Sequence, residues 1–585
     1  LPLLTLTNNI LTRPMQPFDI LDRYRVRLFK NHWLDNEFEI AHCLGFELNG
    51  NIITVDIRRT YPEALLEFIK TSFSIVMLSA QYQAYRTGFF NHLKKMYVDS
   101  RNEFKANYEA KLNYPNDLFM HQGHTLAVSI YNQWNYWAFE QGLGKTITSA
   151  TLSKSMSVPR TIIICPALVK WNWFHNMTDD WGFNPILWTI LDSKKNKCVY
   201  AFRERFVVIN YEMISKFFDY LNRDVIGHII IDECHYIKNH KTNRFKAVEK
   251  LVRNNPKARV TLLSGTPVTN RSIDYFAYCK LAGHPLGKNF AKFKKDYCLS
   301  SSTRGGNKVS GSKNIGDLRI KMSNFMIRKK SEECIDLPAL IIKKYYFDVG
   351  ELSSEYNDAL EELYMAKKKY ESAEQKEKAK LRLTMSANIH SLNRIMATSK
   401  VQPIKDLINE IRAEGRKVVV FSGYTDPLKM LEQEFLGNCV RIAGDVGSHK
   451  RQQLIDKFKK EDDCFLFLGN FQAAGIGINL TNANDVIFMN FPLTPDQLEQ
   501  PYKRCHRIGQ KEAVRVYYTI GKETIDEHVF RIIVDKKRDI DELVDKGKQG
   551  VVHYDNLQGQ LFSSLFNDYE KMKGIQSTTP QFQKV

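Results

Sequence analysis

The sequence predicts an α/β fold: two lobes, each a parallel sheet wrapped by helices, with helical insertions between them and a small N-terminal α+β domain. Three observations predict it. A chain of 585 residues is too long for one core and implies about two to four domains. Short apolar runs alternate with helical stretches from about residue 113 to 270, and again from about 401 to 530, the pattern of parallel sheets. Residues 139–146 read FEQGLGKT, a glycine loop ending in Lys-Thr, and residues 500–510 (QPYKRCHRIGQ) carry Arg504 and Arg507.

The apolar runs of the first lobe are 161–165 (TIIIC), 206–209 (FVVI), 228–231 (HIII) and 260–263 (VTLL). Those of the second are 417–421 (KVVVF), 440–442, 464–468 (CFLFL), 485–489 (DVIFM) and 514–518 (VRVYY). These bound a first lobe at 113–340 and a second at 401–548, with a tail at 549–585. Between the two alternating patterns, 300–315 is rich in Ser, Gly and Lys and reads as a mobile loop. Residues 341–400 read as a charged helical insertion, whose lysines KKK at 367–369 belong to a solvated face.

Residues 1–112 read as the α+β domain. Asn49-Gly50 between apolar positions marks a hairpin, and 62–75 and 81–112 are helical in pattern. Arg23, Arg25 and Arg27 alternate with Tyr24, Val26 and Leu28. On a strand this puts three arginines on one face, either a phosphate-tracking surface or the charged face of an edge strand.

The chain is 43% hydrophobic and 25% charged, ordinary for a globular protein. Its 84 basic and 65 acidic side chains leave a net charge of +19, which favours a polyanionic partner, most simply nucleic acid. The ten cysteines include no CxxC pair, so neither a zinc ribbon nor a disulfide framework is indicated. No apolar run approaches the ~20 residues needed to span a membrane. We expect an intracellular, soluble, monomeric protein.

The candidate chemistry follows from the loops. Gly142 and Gly144 let the backbone turn N–H groups toward phosphates, with Leu143 between them. Lys145 would reach the β/γ oxygens and the Thr146 hydroxyl would ligate Mg²⁺. The full phosphate-loop pattern wants glycine where this chain has Phe139. Asp232 and Glu233 end an apolar run, where Asp232 would hold Mg²⁺ through its water shell and Glu233 would orient or deprotonate the attacking water. Ser264 and Thr266, in SGTP at the end of another run, would couple the γ-phosphate to a track; a plain turn is the alternative. In the second lobe, Gly475, Asn479 and Thr481 belong to a loop (GIGINLT) suited to phosphate contact. Gln500, Arg504 and Arg507 fall at i, i+4 and i+7, one face of a helix, and arginines brought to a phosphate loop in trans neutralise transition-state charge.

With these residues in view, the chain resembles the Swi/Snf family of ATPases within helicase superfamily two, over roughly residues 113–548. FEQGLGKT resembles the family's DEMGLGKT, DECHYIKN (232–239) its DEAHRIKN, and LLSGTPVTN (262–270) its LTGTPLQN. FMIRKKSEECIDLP (325–338) is similar to its lobe-linking signature, KVVVFSGYT, GIGINLT and QPYKRCHRIGQ follow in the family's order, and TIDEHVFRIIVDK (524–536) resembles its brace helix. The resemblance implies two RecA-like lobes closing on ATP and Mg²⁺. It implies Gln122 as the reader of adenine, with Gly475 and Gln500 also on the nucleotide. It places Lys170 and Trp171 (in ICPALVKWNW), Ser264, Thr266, Arg328, Asn479 and Thr481 on DNA. Phe139, Gln141 and Cys234 depart from the family pattern without removing a catalytic group.

The implied activity is translocation on double-stranded DNA without processive strand separation. Compactness favours a phage, viral or bacterial type that remodels branched DNA in repair, recombination or replication, with residues 1–112 recognising DNA structure. The alternatives are a motor that displaces DNA-bound protein such as a stalled RNA polymerase, with 1–112 docking that protein, and a DNA-binding protein with a vestigial nucleotide site. The intact Lys145, Asp232, Glu233, Arg504 and Arg507 argue against the last.

Overall fold

The computed structural model describes residues 18–29, 34–72, 80–107, 118–192, 204–265, 271–303, 306–347, 354–444, 446, 448–471, 478–492, 495–544 and 552–553, with isolated positions from 561 to 570. It divides into two compact units. One holds residues 1–140, 144–330 and 547–553; the other holds 141–143, 331–546 and 554–585.

The first unit is built on a seven-stranded sheet. Its order is Met326–Lys329, Asn135–Phe139, Arg259–Leu263, His228–Ile231, Thr161–Cys165, Phe206–Asn210 and Trp188–Ile190, all neighbours parallel. The central strands are buried along their whole length. This is why they read as continuous apolar runs: helices cover both faces of a parallel sheet. Because every strand points the same way, residues 140, 166, 232 and 264 all follow strand C-terminal ends on one edge of the sheet, where ligands bind in such folds.

Beneath that edge lies a buried polar strut. His228 Nδ1 is 2.6 Å from Ser153 Oγ on the helix Lys145–Ser155, and its Nε2 is 2.8 Å from Thr261 Oγ1. The strut ties the helix that starts at Lys145 to the strand ending before Asp232 and to the strand ending before Ser264.

The second unit carries a six-stranded parallel sheet in the order Leu340–Phe347, Val514–Gly521, Asp485–Phe488, Val418–Ser422, Leu466–Asn470 and Cys439–Ile442. Helices Ser354–Ser372 and Gln375–Ser399 pack against one another. Helix Ile525–Val544 is anchored by the buried pair Lys400 Nζ to Asp526 Oδ2, 2.7 Å.

Two expectations change. The insertion expected to be helical from residue 341 begins with the strand Leu340–Phe347, whose Lys343 and Lys344 made a β-branched and aromatic segment (LIIKKYYF) read as charged helix. The Ser/Gly/Lys-rich stretch near 300–315 is not a loop. Cys298–Thr303 and Gly306–Ser312 pair as an antiparallel hairpin, extended by Val552–His553. Its main-chain ladder is independent of side-chain apolarity, which the sequence pattern could not register.

The N-terminal residues form a four-stranded antiparallel sheet, Phe18–Ile20, Arg25–Phe29, Ile52–Asp56 and Glu47–Asn49. Only Arg25 and Arg27 of the three alternating arginines lie on a strand; Arg23 sits in the preceding bend. Arg25 is paired with Asp22 at 2.6 Å and Arg23 with Glu103 at 3.8 Å. This sheet and its helices belong to the same compact unit as the first parallel sheet. Buried polar contacts join them. Tyr61 N donates to Asn324 Oδ1 (2.9 Å), Asn324 Nδ2 donates to Leu44 O (2.8 Å), and His284 Nε2 bonds Cys43 O (2.9 Å). Among the described residues every cysteine is a free thiol, and no helix is long and apolar enough to cross a membrane.

Burial pushes the imidazoles of His228 and His284 down to about 3. A histidine held neutral when folded binds more protons once unfolded, so its contribution is intact above about 6.5 and is lost as pH falls from there toward 3. For His284, wedged between Trp134 and Phe325, we expect on the order of 2 kcal/mol of this loss between pH 7 and 4.5. His284→Phe should therefore flatten the decline of the denaturant midpoint over that range, while lowering stability at pH 7 by about 1 kcal/mol through the lost bond to Cys43.

Candidate active site

The phosphate loop is built as its sequence requires. The strand Asn135–Phe139 ends, the chain turns through residues 140–144, and the helix Lys145–Ser155 begins. Gly142 and Gly144 have φ of 89° and 77°, left-handed values that strain any side chain. Gly144 has a second reason to be glycine: a Cβ there would lie 2.2 Å from Nε2 of Gln122. The Gln122 amide thus rests directly on the loop. Its other end, Oε1, accepts from Phe119 N at 3.0 Å and closes the first turn of the helix Met120–Ser129.

Lys145 Nζ donates to the carbonyls of Phe139 (2.9 Å) and Glu140 (3.2 Å). Phe139, where the loop pattern wants glycine, contributes its main-chain carbonyl, which any residue supplies. Thr146 is half-buried and Leu143 fully buried.

Asp232 leaves the strand His228–Ile231 with its backbone N–H on Ile164 O (2.8 Å). Its carboxylate accepts from the Trp173 indole N–H at 2.8 Å and from Glu233 N at 3.0 Å, and the Tyr211 hydroxyl donates to its main-chain carbonyl at 2.5 Å. Burial, then the neighbouring Glu233 carboxylate, pushes the Asp232 acid up to about 6, against the opposing pull of the Trp173 bond and the Lys145 charge. Glu233 has φ of 50°, a sparsely populated conformation for a side chain with a Cβ and a mark of strain at functional sites. It lies 3.2 Å from His235 Nδ1.

The donor set fits a hydrated divalent cation. Among the described residues no cluster of three or more His, Cys, Asp or Glu side chains forms a protein cage. Mg²⁺ characteristically keeps several waters and takes one or two carboxylates with phosphate oxygens. A buried acid raised by its own carboxylate neighbour is a group that a cation would restore to the ionised form. Cys234, where the family pattern has alanine, is fully buried and fits the space.

Trp173 and Tyr211 were not singled out from sequence, although Trp173 lies inside a quoted motif. The signal was there. Lys170, Trp173 and Met177 are spaced i, i+3, i+7 and all three are buried, so one face of the helix Lys170–His175 turns inward. This corrects the expectation for Lys170, whose ammonium points inward to Leu191 O (2.9 Å) and is not presented for DNA contact. Trp171 is the exposed member, stacked on His175. Ser264 is buried at the strand end and presents no surface hydroxyl; Thr266 lies outside the described residues, as does Gly475. Arg328 sits half-buried on the edge strand Met326–Lys329.

In the second unit, Gln500 lies on the helix Pro495–Tyr502, but that helix stops at Tyr502. Arg504 and Arg507 lie in the turns beyond it, so the shared helical face expected for the three does not exist. Pro501 lies inside the last turn, and Lys503 N still donates to Glu499 O at 3.1 Å beyond it. The chain tightens into turns, Arg504 N to Pro501 O (3.1 Å) and Cys505 N to Tyr502 O (2.9 Å). The rest of HRIGQ pins these turns: His506 Nε2 bonds Pro338 O at 2.8 Å, and Gln510 Nε2 donates to Ala483 O (3.0 Å) and Cys505 O (3.2 Å). Arg504 O accepts from Leu480 N (3.0 Å), tying the arginine segment to the loop of Asn479 and Thr481, where Asn479 Oδ1 accepts from Thr481 N (3.3 Å).

A glycine loop between a buried parallel strand and a helix, with Asp-Glu at the end of the strand one place beyond its neighbour in the sheet, defines a P-loop nucleotide-binding protein. The comparison with protein families makes this more particular. Residues 136–403 match the SNF2-related domain and residues 399–509 the helicase conserved C-terminal domain; the chain belongs to the Swi/Snf-related family. It is 30% identical over 413 residues to the Caenorhabditis elegans homolog of SWI/SNF-related matrix-associated actin-dependent regulator of chromatin subfamily A-like protein 1, covering 68% of this chain and 58% of that protein. It is 25% identical over 406 residues to the human DNA annealing helicase and endonuclease ZRANB3, covering 66% of this chain and 37% of that one. It is 27% identical over 512 residues to the Schizosaccharomyces pombe DNA repair protein rhp54, covering 74% and 58%. A solved Sulfolobus solfataricus SWI2/SNF2 ATPase core in complex with dsDNA aligns with 80% of this chain and 98% of its own at 21% identity, with a TM-score of 0.34. The chain spans about half the length of the curated relatives it matches.

Asp232 yields a stability prediction. An acid raised to about 6 is protonated in the fold while ionised in the unfolded chain between pH 4 and 6, so it lowers stability progressively as pH rises through that window. Asp232→Asn should raise the thermal stability of the nucleotide-free protein at pH 7.5 by on the order of 1–2 kcal/mol. The gain should shrink as pH falls from about 6 to about 4, which melting curves of the two proteins across that range would show.

Proposed function

We propose that the chain is an ATP-dependent double-stranded DNA translocase of the Swi/Snf type that remodels branched DNA. The observation that carries the ATPase part is the convergence, on one sheet edge, of the Gln122 amide on Gly144, the Lys145 ammonium and the buried Asp232 beside Glu233. In this reading Gln122 recognises the adenine edge, and the backbone of residues 142–144 with Lys145 holds the phosphates. Glu233, on its strained backbone, accepts the proton of the attacking water. Arg504 and Arg507 stabilise charge developing on the transferred phosphoryl group. Mg²⁺, when bound, would neutralise charge between the β- and γ-phosphates, and Thr146 and Asp232 are the side chains that would hold it.

DNA as the track is supported by the net charge of +19 and by relatives described as a DNA annealing helicase and a DNA repair protein. Trp171, Arg328, Asn479 and Thr481 remain the proposed contacts. Binding through the phosphate backbone would be independent of sequence and weakened by salt. Residues 1–112 would supply the preference for DNA structure or dock a protein.

The test is ATP hydrolysis measured without DNA and with single strands, plain duplex and forked duplex. The proposal expects forked DNA to stimulate most. It also expects Glu233→Gln to reduce turnover by roughly 10²-fold or more while nucleotide still binds. Equal stimulation by fork and duplex would move the reading to a general duplex motor that displaces bound protein. No stimulation by any DNA would sink it.

A further inference from the structure

We infer that Arg101, on the long N-terminal helix, is a positioning residue for the base-reading Gln122, so that this helix sets the chain's preference for adenine nucleotides. The inference rests on the reading of Gln122 given above.

The helix Ala80–Asn107 packs beside the helix Met120–Ser129. Directly after Gln122 stands Gly123, buried in the middle of the first helical turns. A mid-helix glycine lowers helix stability by about 1 kcal/mol relative to alanine and usually has a packing reason. Here the reason is Arg101. A Cβ on residue 123 would lie 2.0 Å from Arg101 Nη2, 2.5 Å from Cζ and 3.0 Å from Nε. The whole guanidinium plane therefore lies against the Gly123 backbone, one residue from Gln122. Its charge also reaches the next residue: burial first, then Arg101, depresses the His124 imidazole.

Gln122 leaves little slack between these supports. Its oxygen is bonded to Phe119 N at 3.0 Å, Gly123 N donates to Phe119 O at 3.0 Å, and its amide nitrogen rests on Gly144 of the phosphate loop. The oxygen fixes which way the amide faces, the helix turn fixes where it stands, and Arg101 presses on that turn at Gly123. Shifting the guanidinium frees the turn, and an amide that must present a donor and an acceptor to one base edge loses its register. Phosphate contacts made by the loop are untouched, so the loss falls on base identity and not on nucleotide binding as such.

Two substitutions reach the same contact from opposite sides. Arg101→Ala removes the guanidinium. Gly123→Ala displaces it, and because the clashing atoms are the far end of a flexible side chain, and alanine favours helix, the fold is retained. The full-length chain is titrated with a ribose-labelled fluorescent ADP, and unlabelled ATP and GTP are used as competitors. Each single variant is expected to weaken ATP competition about fivefold, the loss of one ordinary hydrogen bond, with GTP competition changed by less than about twofold. The double variant is expected to be no worse than either single one, because both remove the same contact. Gln122→Ala is the control. If it lowers the preference for ATP over GTP while both Arg101→Ala and Gly123→Ala leave that preference intact, the positioning role is overturned and the Gln122 reading stands. If all three leave the preference intact, both fall. Equal weakening of ATP and GTP in the two variants would make Arg101 a general support of the fold and would also overturn the inference.

Discussion

The site depends on holding a carboxylate ionisable where water is scarce. Asp232 is buried at the end of a buried strand, with a second carboxylate as its sequence neighbour, and both conditions disfavour its charge. The surrounding structure offsets that cost piece by piece. Trp173 donates its indole N–H, Glu233 N–H donates from the same chain, and Lys145 contributes an opposing charge. Tyr211 fixes the backbone. Trp173, Glu233, Lys145 and Tyr211 each lie in a segment that follows a different strand of the sheet, so the parallel architecture is what lets them converge. The strand ends lie on one edge, and the buried Ser153–His228–Thr261 strut keeps three of those elements in register from below. On the proposed function, cation and phosphate binding would relieve the residual cost, so that ligand binding would stabilise the arrangement that chemistry requires.

Much of this was legible in sequence, because the strongest signals are those in which one residue type alone satisfies a local constraint. The apolar runs mark nine of the thirteen parallel strands, since burial on both faces leaves few polar positions. The loop glycines could be placed because left-handed backbone excludes other residues. Trp188–Ile190, Met326–Lys329, Leu340–Phe347 and Asn135–Phe139 were missed; in the last, NYWAF mixes aromatic and polar residues, and its burial depends on Arg259–Leu263 and Met326–Lys329, far away in sequence, pairing on either side. Asp232 and Glu233 were visible, but their partners Trp173 and Tyr211 were not assigned. Which tryptophan of KWNW turns inward is settled by helix phase against the sheet, and that phase also turned Lys170 away from the surface role expected of it.

The errors of boundary have the same physical origin. The face proposed for Gln500, Arg504 and Arg507 assumed a helix that stops at Tyr502. The hairpin near 300–312 is held by main-chain bonds that composition does not report, and the lysines of Leu340–Phe347 disguised a strand. The N-terminal domain reads as separate in composition but is joined to the first sheet through Asn324 and His284, residues drawn from the far end of the lobe. Polar contacts over such separations are invisible to any local pattern.

The central claim is that the buried Asp232 carboxylate is the acid a bound cation must ionise. The direct measurement is proton release on binding Mg²⁺-nucleotide, obtained by titration calorimetry at pH 6 in two buffers of different ionisation enthalpy. An acid near 6 predicts release of roughly half a proton at pH 6, fading by pH 8 and missing from Asp232→Asn. Proton release of the same size in Asp232→Asn, or none in the parent protein at pH 6, would contradict the account.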